Sequence, residues 1–190
     1  MTGFTRIAVV GTTGSGKTTL ARELASRLGL RCVELDALHW EPNWVEAADD
    51  VLRSRVQAAL ESGRWVVDGN YSKLHDLTLA RAQLLVWLDY SFVRTALQLL
   101  RRTFARSLRH EELWSGNRES FSKALLSGDS ILLWLLRSYT RNRRRFRAII
   151  EGCNYPQLEI VHLRSPAATR AWLASLPAAP AADLQRGGGG

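Results

Sequence analysis

Short apolar runs recur along the chain at Ile7-Ala8-Val9-Val10, residues 31–35, Trp65-Val66-Val67, residues 84–88 and residues 158–163. Runs of this length, apolar at nearly every position, predict strands buried on both faces rather than half-exposed ones. Between them the apolar positions fall at helical spacing, with Leu20, Leu24, Ala25 and Leu28 in one segment and Val51, Leu52, Val56, Ala59 and Leu60 in another. Alternation of strand and helix in this manner predicts an α/β domain of three layers, a parallel sheet of five strands covered by helices on each side.

Residues 92–153 break that rhythm, because some sixty positions pass with helical periodicity and no strand pattern. Leu97, Leu100 and Phe104 mark one helix, and Leu132, Leu133, Leu136, Phe146 and Ile149 mark a second. The polar, turn-rich stretch from His110 to Glu119 joins them, which predicts a helical lid. Residues 1–176 therefore read as one domain. From Pro177 the Pro/Ala sequence and the closing glycines have nothing to pack, so residues 177–190 read as a disordered tail.

Candidate chemistry sits directly behind the first strand. Gly11-Thr12-Thr13-Gly14-Ser15-Gly16-Lys17-Thr18 satisfies G-x-x-x-x-G-K-[ST], with an apolar run before it and a helical pattern after it. In that context the backbone N–H groups of the turn and of the helix N-terminus, including Thr19, cradle phosphate oxygens. Lys17 would then bridge the β- and γ-phosphates of ATP, and the Thr18 hydroxyl would ligate Mg²⁺.

Two acidic residues close predicted strands beside this loop, Asp36 after the second and Asp68 after the third. Asp68 suits an Mg²⁺-bound water, and Asp36 suits an acceptor hydroxyl or the metal shell; capping of the following helix is the alternative for each. Asp89 closes the fourth strand just before a helix and reads as a cap. Trp40 and Trp44 form either an apolar wall for a ring or packing between helix and sheet.

Taken together, these elements resemble the adenylate-kinase-like branch of the phosphate-loop (P-loop NTPase) fold. More specifically, Leu35-Asp36-Ala37-Leu38-His39-Trp40, Asp68-Gly69-Asn70-Tyr71 and Glu112-Leu113-Trp114-Ser115-Gly116-Asn117 resemble motifs of the DNA topology modulation proteins, over residues 7–176. The resemblance implies strand order 2-3-1-4-5, a nucleoside- or nucleotide-kinase-like phosphotransferase with ATP and Mg²⁺, and a small-molecule acceptor. It places Arg164 beside adenine, with packing of the C-terminal helix as the equal alternative for that residue. Adenylate kinases carry an arginine where this chain has Ser72 and another where it has His39, which argues against AMP as acceptor. The Asp36 segment is instead similar to the acceptor loop of gluconate-kinase-like and uridine-kinase-like enzymes, where a hydroxyl takes the phosphoryl group, and a hydroxyl or a phosphate acceptor both stay open.

Charge sharpens the lid's role. Of 26 Lys and Arg residues, 13 fall between Arg94 and Arg147 against four Asp and Glu, a local balance of +9 within a net charge of +8. Arg102, Arg106 and Arg109 share one predicted helical face, with Arg101 beside them, and Arg137, Arg141 and Arg144 repeat the spacing. Closure would bring such arginines onto phosphates; Arg102, Arg106 and Arg141 are the leading candidates. A nucleic-acid-associated ATPase using the basic lid as a backbone-binding surface is the rival, less favoured because no groove-reading motif accompanies it. Cys32 and Cys153 read as buried and reduced, without metal-ligand spacing. With no apolar run long enough to span a bilayer, the chain reads as cytoplasmic.

Overall fold

The structure, a computed structural model, describes residues 3–109, 115 and 131–177, with backbone alone at 106–109 and 131–134. Five parallel strands, β1 (Arg6–Gly11), β2 (Arg31–Glu34), β3 (Trp65–Asp68), β4 (Leu84–Leu88) and β5 (Glu159–Leu163), form one sheet in the order β2-β3-β1-β4-β5. This is the predicted 2-3-1-4-5 arrangement. Register places Gly11 opposite Leu88 and Val9 opposite Asp68, so the strand ends that carry chemistry lie side by side.

The period-2 alternation of the strands distributes the core between two faces. Ile7, Val9, Val66, Val86 and Leu88 pack on one side against Leu20, Ala21 and Leu24 of α1 (Lys17–Leu28) and, later in the chain, Leu173. Ala8, Val10, Val67, Leu85 and Trp87 pack on the other with Leu52 and Val56 of α3 (Asp49–Ala59) and with Phe146. Two long helices follow β4, α4 (Phe92–Arg109) and α5 (Ile131–Glu151), and α6 (Pro166–Ser175), which carries Leu173, ends the described chain. Ser165 caps α6 by accepting the Ala168 N–H. The predicted lid connection, apart from Ser115, and the predicted tail from 178 lie outside the described residues. Among the described residues no helix is long and apolar enough to cross a membrane.

Several local expectations are corrected. The second strand stops at Glu34, and Leu35–His39 form a one-turn helix, α2, that seats Leu35 in the core. A small antiparallel ribbon follows, Trp40–Glu41 with Val45–Glu46, turned by Pro42 and by Asn43 and Trp44, both at positive φ. On α4 the buried face is Thr95, Ala96, Leu99 and Thr103, whereas Leu97 is 49% and Phe104 55% exposed. This face packs on the phosphate loop: a Cβ at Gly14 would lie 2.9 Å from Leu99 Cβ and 3.0 Å from the Thr95 carbonyl oxygen, so the close approach at Gly14 turns the Thr95–Leu99 side of α4 inward. Leu136 and Val51 are likewise exposed, with Leu135 taking the buried position on α5. Cys153 is exposed on the turn after α5, not buried, and Cys32 is half-buried with its thiol pushed up to about 11, chiefly by burial.

Candidate functional site

The site assembles where β1, β2 and β3 end. Gly16 enters α1 in the left-handed region, at φ 90°, and the loop is closed by Ser15 N–H donating to the Thr12 carbonyl at 3.1 Å. Lys17 Nζ donates to that same carbonyl at 3.3 Å, which keeps its ammonium folded over the loop. Asn70 clamps the loop's first peptide units: its Oδ1 accepts the Gly11 N–H at 3.2 Å and its Nδ2 donates to the Gly11 carbonyl. The chain's Asp-Gly-Asn-Tyr corner thus braces the phosphate loop from the neighbouring strand.

Asp68 lies at the end of β3, 6% exposed. Its Oδ2 accepts the Thr18 hydroxyl at 2.5 Å, and its Oδ1 is buried without a hydrogen-bond partner. Burial holds this carboxyl above the usual carboxylate range, against the opposing pull of Lys17 and the Thr18 hydrogen bond. A hard cation fits these donors: a hydroxyl and a carboxylate oxygen without a hydrogen-bond partner match the oxygen-only preference of Mg²⁺. No convergence of three or more His, Cys, Asp or Glu side chains competes with it among the described residues.

Asp36 stands on α2, half-buried, and its Oδ1 accepts the Tyr71 hydroxyl at 2.7 Å. Burial first, then Asp36, raises the Tyr71 phenol far above its ordinary range, so it stays a donor. His39, one turn along α2, is buried with its ring edge-on to Tyr71 at 4.9 Å and to Trp40 at 4.8 Å, and its Nε2 is 3.6 Å from Glu46. Trp40 meets Trp44 edge-on at 5.5 Å. These side chains and the loop share a cleft of about 440 Å³, lined by Thr13 and Lys17, by Asp36, His39, Trp40 and Glu46, by Gly69, Asn70 and Tyr71, and by Ser138, Arg141, Asn142 and Arg145 of α5. Ser115, the described residue of the Trp-x-Gly-Asn motif, donates its hydroxyl to the Trp40 carbonyl at 2.8 Å.

Lys17, Thr13, Asp36 and Arg141 therefore meet in one cleft, with Thr18 and Asp68 hydrogen-bonded beside Lys17. The other expected arginines do not join them. Arg101, Arg102, Arg137 and Arg144 are exposed and do not line the cleft, the side chains of Arg106 and Arg109 lie outside the described residues, and Arg164 is exposed after β5. Thr19 is exposed on α1. Arg145 takes the place expected for Arg144, because positions four apart share a helix face and 141 and 145 are so spaced. Asp89 is no cap: Ser91 fills that role, its Oγ accepting the Arg94 N–H at 3.4 Å and its carbonyl the Thr95 N–H at 3.0 Å. Asn70, Tyr71, Ser138, Asn142 and Arg145 are site residues that sequence reasoning left without a role. The first two stood in a motif already singled out, whereas the α5 residues depended on a helix rotation that spacing alone does not set.

Comparison with known proteins bears on the fold. A deoxyadenosine kinase from M. mycoides, solved with bound dCTP, matches with a TM-score of 0.51 at 11% identity, over 89% of this chain and 97% of that one. A shikimate kinase from Acinetobacter baumannii, solved with shikimate, matches with a TM-score of 0.51 at 18% identity, over 90% of this chain and 89% of that one. At such identities the likeness is one of fold, the phosphate-loop kinase fold. No curated protein sequence matches the chain. A family model described as an AAA domain matches residues 7–171, and on that match, which takes in all five strands and most of α6, the chain belongs to the AAA domain family.

Proposed function

We propose that the protein is an ATP- and Mg²⁺-dependent small-molecule phosphotransferase that passes the γ-phosphoryl group to a hydroxyl acceptor. The observation that carries the reading is that Asp36, held by Tyr71, shares a cleft with Lys17 of the phosphate loop. The loop amides and Lys17 bind the triphosphate and stabilise charge on the transferring group. Thr18 and Asp68 would hold Mg²⁺, which when bound would neutralise phosphate charge. With Oδ1 engaged by Tyr71, Asp36 keeps Oδ2 to accept the acceptor's proton as its oxygen bonds to the γ-phosphorus and the β–γ bridging bond breaks, releasing ADP. Trp40 supplies an apolar wall for the acceptor. All three motifs that resemble the DNA topology modulation proteins bear on this cleft, through Trp40, Asn70 and Ser115, which supports a common site. That the same fold houses a kinase solved with dCTP and one solved with shikimate supports a small-molecule acceptor.

The test is a screen of nucleosides, nucleotides, sugars and polyols for acceptor-dependent ADP release, repeated on two variants. Asp36→Asn is expected to lower turnover by roughly 10² to 10⁴, the range for a positioned general base, while Mg·ATP affinity stays within about twofold. Asp68→Asn is expected to weaken Mg·ATP binding itself. Equal losses of nucleotide affinity in the two variants would refute the division of roles.

A further inference from the structure

Asp89, at the end of β4, is 2% exposed at its side chain, and yet it lies outside the cleft. Arg143 of α5 reaches it through Nε, 2.8 Å from Oδ1 and 3.2 Å from Oδ2, and His162 of β5 brings Nε2 to 3.0 Å from Oδ2. Each partner is itself held. The His162 ring lies parallel to Trp87 at 4.2 Å, and the Arg143 guanidinium lies 5.8 Å from the centre of the Tyr139 ring, whose hydroxyl donates to the Tyr90 carbonyl at 3.0 Å. Asp89 N–H donates to the Leu163 carbonyl at 2.9 Å, so the carboxylate rests on the paired ends of β4 and β5.

Helix geometry turns this pin into a constraint on the cleft. At about 100° per residue, position 143 is about 160° away from positions 141 and 145, so the side chain bound to Asp89 points nearly opposite to the two that line the cleft. Arg141 and Arg145 form no hydrogen bond or ion pair with any described residue, while Arg22, Arg53 and Arg55 are all paired to carboxylates. Unpaired guanidinium groups have no attachment of their own to hold them in the cleft. The rotation of α5 has to do so. Phe146 anchors the C-terminal half of α5 in the core beside Trp87, and Asp89 fixes the turn just before it.

We propose that Asp89, Arg143 and His162 are positioning residues that set the rotation of α5 and thereby present Arg141 and Arg145 to phosphate oxygens bound at the loop. The proposal rests on the phosphate-site reading above, and its test separates the two. Inorganic tripolyphosphate with Mg²⁺ is titrated calorimetrically into wild type, Arg143→Gln, Arg141→Gln/Arg145→Gln, and the triple variant. Arg143→Gln leaves Asp89 its contact with His162, and Asp89→Asn checks the same pin from the other side. Wild type is expected to bind. Arg143→Gln alone is expected to weaken binding about tenfold, and to change it by less than twofold once Arg141 and Arg145 are already replaced. Arg143→Lys, which keeps the charge at Asp89, is expected to recover part of the loss. A purely structural role for the pin predicts the same factor in both backgrounds, and that result would overturn the proposal alone. Folded wild type that does not bind tripolyphosphate would overturn the phosphate-site reading and the proposal with it.

Discussion

Gly11 and Gly16 stand at equivalent-looking positions of the phosphate motif, and the structure assigns them unequal costs on replacement by alanine. Both have positive φ, 154° and 90°. A Cβ on Gly16 meets nothing within 4 Å, so Gly16→Ala pays only for a left-handed conformation, about 1–2 kcal/mol. A Cβ on Gly11 would lie 2.7 Å from the Leu88 carbonyl oxygen and 2.9 Å from Ser15 Oγ. Leu88 is register partner to Gly11 in the β1–β4 ladder, so its carbonyl oxygen cannot retreat without disturbing strand pairing. Overpacking of this kind costs about 1–3 kcal/mol beyond the conformational strain, which brings Gly11→Ala to about 2–5 kcal/mol.

Urea denaturation reads the difference. With a slope of about 3 kcal/mol/M, the upper end of the range for small proteins, Gly11→Ala should lower the midpoint by roughly 0.7–1.7 M and Gly16→Ala by roughly 0.3–0.7 M. Both measurements are made without nucleotide, so that ligand binding does not enter the stability. An equal or larger shift for Gly16→Ala would refute the reasoning, because it would mean that the contact with β4 yields freely.

Lys17→Ala should keep the fold and lower phosphoryl transfer by roughly 10² to 10³, the scale of losing one preorganised charge; wild-type turnover in the purified variant would sink the nucleotide assignment. His75 is held below its ordinary value of 6.5 by burial and by Arg145. The unfolded chain therefore takes up this proton first, and His75 withdraws stability as pH falls below about 6.5; His75→Gln should flatten the slope of urea midpoint against pH there, and an unchanged slope counts against it. A non-hydrolysable ATP analogue with Mg²⁺ should slow amide exchange in residues 131–151, whereas duplex DNA at physiological salt should leave it unchanged. Protection by DNA with none from the analogue would favour the nucleic-acid rival.

How much of this was legible in the sequence follows from the range of the interactions involved. The phosphate loop and its flanking strand and helix are encoded within some twenty residues, and the five strands show themselves as apolar runs, so fold and loop could both be read. The faces of the two long helices, α4 and α5, could not. On α4 the sets Ala96-Leu99-Thr103 and Leu97-Leu100-Phe104 have the same spacing, and Gly14, more than eighty residues earlier, decides which is buried. In Arg141-Asn142-Arg143-Arg144-Arg145 every candidate stripe is basic, and the choice among them falls to Phe146 in the core and to Asp89, 54 residues away in sequence. Asp89 itself looked like a cap because Ser91 and a helix follow it. An arginine and a histidine from distant elements, Arg143 and His162, are what hold it inward instead.

The two carboxylates of the site show the same dependence on surroundings. Sequence places Asp36 and Asp68 alike, each after an apolar strand beside the loop. Asp68 ends inside β3, buried, with one oxygen on Thr18 and the other unpartnered. A charge in that setting needs a cation; Lys17 is one, and on the proposed function a bound Mg²⁺ would be the other. Asp36 has left its strand for α2, is half-buried, and has one oxygen tied by a phenol that does not ionise near neutral pH. It lines a cleft of about 440 Å³ that also holds Lys17, where on the proposed function it accepts the acceptor's proton. Environment, more than strand position, separates a metal-shell role from a base role here, and Tyr71 is the residue on which that separation turns: Tyr71→Phe should free Asp36 Oδ1 and lower turnover while Mg·ATP affinity stays unchanged. A parallel loss of nucleotide affinity in Tyr71→Phe would show instead that the two carboxylates act as one site.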